Sequence, residues 1–80
     1  MNDTQKEQVI SIIKEVAGKP DAVVTEETLL DELEIDAGEL ATIDQKLEET
    51  FNVVLPDDAV AKSETVKDII ELLDSKLETN

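Results

Sequence analysis

The sequence predicts an all-α domain: a four-helix bundle of three main helices, one short helix and a long first loop. Two observations carry that prediction. Apolar residues recur three or four apart in three separate stretches, the spacing of one helix face, and a capping pattern opens each stretch. No stretch alternates apolar and polar residues as a half-buried strand does. Val53-Val54-Leu55 is too short for a strand, and Pro56 closes it off.

The first helix opens on Thr4-Gln-Lys-Glu7, which reads as a capping box, and Val9, Ile12, Ile13 and Val16 share its inner face. Gly18 supplies a left-handed cap and Pro20 blocks continuation. A connection follows from Lys19 to Ile35. It contains Val23, Val24, Leu29, Leu30 and Leu33, so it is expected to pack over the core, with a turn of helix between Glu26 and Leu33. The second helix is predicted over Ala37 to Thr50. Asp36 is its cap and Glu39 the third helical residue, a reciprocal pair. Leu40, Ile43, Leu47 and Phe51 form a narrow inward stripe, which leaves Glu39, Asp44, Glu48 and Glu49 towards solvent. Pro56 is pre-set to start a short third helix from Asp57 to Lys62. Thr65-Val-Lys-Asp68 opens the last helix, whose buried face is Val66, Ile69, Ile70, Leu73 and Leu77, and whose end frays over Glu78, Thr79 and Asn80.

The 80 residues hold one domain, 1–80, with no repeat and no linker to divide it. Its core is aliphatic, with Phe51 the sole aromatic residue. Asp and Glu number 21 against 7 Lys and Arg, a formal charge of −14. Such a surface repels nucleic acid and anionic lipid, attracts basic protein patches, and favours a monomer. Without cysteine or histidine, disulfides, thiol catalysis and imidazole chemistry are excluded. The adjacent carboxylates at Glu26 and Glu27, Asp31 and Glu32, and Asp57 and Asp58 lack the glycine and closing glutamate of a calcium loop, so weak, non-specific cation binding is expected and no metal site. No apolar run approaches the ~20 residues of a membrane span, and no signal peptide precedes the first helix; a cytoplasmic location is expected.

Several short stretches, in order and spacing, resemble the acyl carrier protein family over essentially the whole chain. Leu33, Ile35 and Asp36 resemble that family's Asp-Leu-Gly-x-Asp lead-in, with Glu32 and Glu34 in place of its Asp and Gly. Leu47-Glu-Glu-Thr-Phe51 resembles Leu-Glu-Glu-Glu-Phe, Leu55-Pro56-Asp57-Asp58 resembles Ile-Pro-Asp-Glu, and Thr65-Val66 matches the start of the last helix. The resemblance implies the four-helix carrier bundle and a role in fatty-acid, lipid or polyketide-type assembly. It also implies that the protein is not an enzyme and has no catalytic residue. In the family an Asp-Ser-Leu motif opens the second helix and its serine carries 4'-phosphopantetheine. The three positions here are Asp36, Ala37 and Gly38.

A phosphodiester at a helix start is favoured by free N–H groups and the positive end of the dipole, but attachment needs a hydroxyl. Alanine has none, so no arm is expected on this chain. Thr42 lies more than a turn further along, and Ser11, Ser63 and Ser75 lie on other elements. A serine-to-alanine exchange would explain Ala37 but not Gly38, where the resemblance implies an apolar residue that helps the modifying enzyme dock, and where glycine weakens the first turn by up to ~1 kcal/mol. The two together read as a naturally altered carrier, with an Asp-Ser-Gly parent changed at its serine as the alternative. The resemblance implies biosynthetic enzymes with basic docking patches as partners, reading Glu39, Asp44, Glu48 and Glu49. It also implies a phosphopantetheinyl transferase if Ala37 were Ser. The alternative is a pseudo-carrier: an interaction or regulatory module that never holds an arm. The apolar set Val9, Ile13, Leu40, Ile43, Leu47, Phe51, Leu55, Val60, Ile69 and Leu73 reads as the core, and in the family the core also serves as the acyl cavity.

Overall fold

The structure, a computed structural model, describes residues 1–56 and 58–78. Its elements in order are α1 (Asp3–Ala17), a 3-10 turn (Leu30–Leu33), α2 (Ala37–Phe51), α3 (Ala59–Lys62) and α4 (Val66–Glu78). No strand occurs among the described residues; a single antiparallel bridge joins Leu29 and Thr65. The all-α bundle is therefore the one the apolar periodicity predicts. Asp57, the predicted first residue of the short helix, lies outside the described residues, and the helix begins at Ala59. The fraying expected at Thr79 and Asn80 also falls outside them, whereas α4 continues through Glu78.

The start of α1 differs from expectation. Asn2, not Thr4, is the cap: its side chain accepts the Gln5 N–H at 2.8 Å, and Gln5 Oε1 accepts the Asn2 N–H at 3.0 Å. Asn caps as well as Thr or better, and starting two residues earlier adds backbone bonds without burying anything polar. Gly18 ends the helix at φ +71, the left-handed region in which a Cβ is disfavoured.

α2 packs against both α1 and α3, and α1 also against α4. Val9 and Ile13 of α1, Ile43 and Leu47 of α2, Val60 of α3, and Val66, Ile69 and Leu73 of α4 meet in one core, each at most 1% exposed. Burial of each such side chain contributes about 2 kcal/mol. Leu40 and Phe51 are only partly buried at the edge of this cluster. Part of the long loop also departs from expectation. Val24, Leu30 and Leu33 join the core, but Val23 is 88% exposed and Leu29 42%. A loop has no fixed period to aim its side chains, so apolar content alone does not say which residues turn inward.

The long loop has a second task, which is to cap α4. The first helical N–H groups have no partner within a helix. Here Val66 N–H donates to the Thr28 carbonyl at 3.1 Å and Lys67 N–H to the Glu26 carbonyl at 2.8 Å. Asp68 N–H donates to Thr65 Oγ1 at 3.3 Å. In return, Asp68 Oδ2 accepts the Glu64 and Thr65 N–H groups at 3.0 and 3.1 Å. These backbone donors hold the Asp68 carboxyl below its ordinary pKa.

Candidate functional site

The approach to α2 is tightly built. Lys19, just past α1, donates its ammonium to the Leu33 carbonyl at the end of the 3-10 turn. Glu34 then adopts φ 55, ψ 43, a left-handed residue that turns the chain towards Asp36. Asp36 Oδ1 accepts the Glu39 N–H at 2.7 Å, and Glu39 Oε1 accepts the Asp36 N–H at 3.1 Å. The predicted cap is therefore present with both halves formed. Asp36, Ala37 and Gly38 are all exposed on this first turn.

Gly38 has no conformational need to be glycine. Its φ is not positive, and a Cβ built there would meet only Asp36 Oδ1, at 3.4 Å, an ordinary contact. The Ala37 methyl offers no oxygen for a phosphodiester. The Thr42 hydroxyl, on the same helix, donates to the Gly38 carbonyl at 3.0 Å. None of the three side chains on this turn, Asp36, Ala37 and Gly38, carries a hydroxyl.

The acidic set does not lie on one solvated face. Glu49 is exposed and Glu39 half-buried, but Asp44 is only 4% exposed, which overturns the expectation that it points to solvent. Successive helical residues are separated by 100°, so Asp44 is only about 40° around α2 from Leu40. α2 packs against both α1 and α3, and with Asp44 buried beside Ile43 and Leu47 its buried sector is wider than a single stripe. Glu48 is half-buried and turned inward: its Oε2 accepts the Leu55 N–H at 2.9 Å. Periodicity could not show that contact, because the partner is a backbone group in the following loop.

Among the described residues, surface hollows lie around the core. One of about 410 Å³ lies over Pro56, Ala59 and Leu72, with Asp58, Lys62, Ser63 and Asp68 at its rim. A second of about 340 Å³ is lined by Ser11, Lys14, Glu15 and Pro20, and a third of about 180 Å³ by Ala41, Asp44, Gln45 and Glu48. None of the residues read from the sequence as core or cavity lining borders these hollows. Among the described residues, no group of three or more carboxylates could hold a metal ion. No helix there is long and apolar enough to cross a membrane.

Residues 7–73 match the family described as "Phosphopantetheine attachment site". The acyl carrier protein of Zymomonas mobilis is 34% identical over 74 residues, covering 92% of this chain and 95% of that protein. That of Thermobifida fusca is 38% identical over 63 residues, 78% of this chain and 80% of its own length. The Kocuria rhizophila protein is 34% identical over 65 residues, 80% of each. The chain belongs to the acyl carrier protein family. Members of that family are carriers rather than enzymes, and the group they carry is 4'-phosphopantetheine.

Proposed function

We propose that this protein is an acyl-carrier-type domain, acting as one unit over residues 1–80, that is locked without its arm. Ala37 is the residue that carries this reading. It is the first residue of α2, exposed and preceded by a fully formed Asp36–Glu39 cap. The position therefore has the access and backbone of an attachment turn and lacks only the oxygen. A radius of gyration of 11.4 Å, against about 11.6 Å expected for a compact 80-residue domain, supports the single-unit reading. The protein works in the cytoplasm as a monomer, within fatty-acid, lipid or polyketide-type assembly. Enzymes with basic patches approach Asp36, Glu39, Glu48 and Glu49, and Asp44 adds charge from beneath that surface.

Gly38 favours a second reading, a pseudo-carrier that recruits or regulates a biosynthetic enzyme without ever taking an arm. Neither backbone conformation nor crowding calls for glycine there, so the missing side chain reads as a lost docking contact. Intact mass decides between the two, after the protein and its Ala37→Ser variant are incubated with coenzyme A, magnesium and a permissive phosphopantetheinyl transferase. Gain of the arm's mass by the serine variant alone identifies a carrier stripped of its hydroxyl. If neither form gains it, the docking surface has diverged as well and the pseudo-carrier reading replaces the first.

A further inference from the structure

Glu48 closes the C-terminal end of α2 through both its backbone and its side chain. Its backbone carbonyl accepts the capping N–H of Asn52 and the Val53 N–H at 3.2 Å. Those bonds end the helix whatever side chain stands at this position. The bond from Leu55 N–H to Glu48 Oε2, 2.9 Å long, is different in kind: it spans seven residues and depends on the carboxylate. Leu55 is 3% exposed and part of the core, while Val54 before it is 81% exposed. Further on, α3 has a single turn's worth of residues, no side-chain cap, and one buried residue, Val60. A helix that short has no stability of its own. On either side of residue 57 this segment is seated by the buried Leu55 and Val60, the partly buried Val53 and Ala59, and a charge-assisted hydrogen bond from Leu55 N–H to Glu48.

The Glu48 carboxylate is also within reach of solvent. Glu48 is half-buried and borders the open hollow of about 180 Å³ on α2. A cation entering that hollow competes with the Leu55 N–H for the same oxygen atoms. We infer that Glu48 is a latch on the seam between α2 and α3. Turned inward, it holds Leu55 and keeps the seam closed. Drawn outward by a cationic side chain, it releases Leu55 and opens the apolar interior along Leu47, Leu55 and Val60. The outward half rests on the docking reading proposed above; the inward half does not.

Amide hydrogen exchange separates the two halves. In Glu48→Ala the Leu55 and Val60 amides should exchange roughly tenfold faster or more, measured against the Val9 and Ile13 amides as reporters of global opening. Glu48→Gln keeps an acceptor oxygen without the charge, so it should stay close to the parent, as should the exposed control Glu49→Ala. Hexa-arginine then serves as the cationic probe. It should speed exchange at Leu55 and Val60 in the parent protein and leave them unchanged in Glu48→Gln. If Leu55 exchanges no faster in Glu48→Ala than in Glu49→Ala, the latch is overturned. Peptide binding to α2, seen as amide shifts, without faster exchange at Leu55 overturns the trigger alone. Absence of any peptide-induced shift on α2 overturns the docking reading instead, and the variants still decide the latch.

Discussion

At Glu34 the backbone turns left-handed, φ 55 and ψ 43, where a Cβ crowds the following carbonyl. Asn52, which among the described residues also has a positive φ, is a type that tolerates the region. Glu34→Gly should raise stability by about 0.5 kcal/mol, the relief of strain being partly offset by greater freedom in the unfolded chain, while Glu34→Val should lower it by about 1 kcal/mol. Urea unfolding checks both, and equal midpoints for the two variants would show that the turn stores no strain. Gly38 is the opposite case, a glycine where none is needed. Gly38→Ala should therefore stabilise α2 by up to about 1 kcal/mol; a loss instead would mean that the first turn is more crowded than its contacts indicate. Both positions were visible in the sequence as departures from a family pattern. Only the second could be costed there, because the sign of φ at Glu34 depends on how the 3-10 turn delivers the chain to α2.

Helices were legible where their signals are local. The Asp36–Glu39 pair, the Gly18 cap and the Thr65–Asp68 cap each involve side chains within a few residues of the backbone they serve. The start of α1 shows the limit of that method, since Thr4-Gln-Lys-Glu7 and Asn2-Asp-Thr-Gln5 are both acceptable capping boxes two residues apart. The structure chooses the earlier one. Asn2→Ala should accordingly cost about 1 kcal/mol and Thr4→Ala almost nothing, as measured by thermal unfolding; the reverse order would restore the later start. What the sequence could not reveal were contacts between elements. These include the burial of Asp44 on the flank of α2, the inward turn of Glu48, and the loop carbonyls of Glu26 and Thr28 that cap α4. Each depends on where a second segment lies, and neither periodicity nor local pattern carries that information.

Across the whole molecule two electrostatic effects oppose each other as pH falls. A net charge of −14 on a small domain drives it apart, and protonation brings that charge to zero near pH 4.1. Magnesium should act in the same direction at neutral pH by screening and binding the carboxylates. Asp58 and Asp68 act the other way. A hydrogen bond from Lys62 lowers the pKa of Asp58, and the backbone N–H groups of Glu64 and Thr65 lower that of Asp68. A carboxylate with a depressed pKa in the folded state contributes stability that is complete above its unfolded value, here 3.8, and is lost as pH falls through the folded value. The melting temperature should therefore rise from pH 7 to a maximum between about 4 and 5, then decline below 3.8 as Asp58 and Asp68 protonate. Asp68→Asn separates the two limbs: it should keep most of the rise between pH 7 and 5 while flattening part of the acid fall, because its amide oxygen still accepts the Glu64 and Thr65 N–H groups but has no charge to lose. A melting temperature that stays level from pH 7 to 4.5 and ignores magnesium would show that self-repulsion does not limit this fold. The caps and the aliphatic core would then set its stability by themselves.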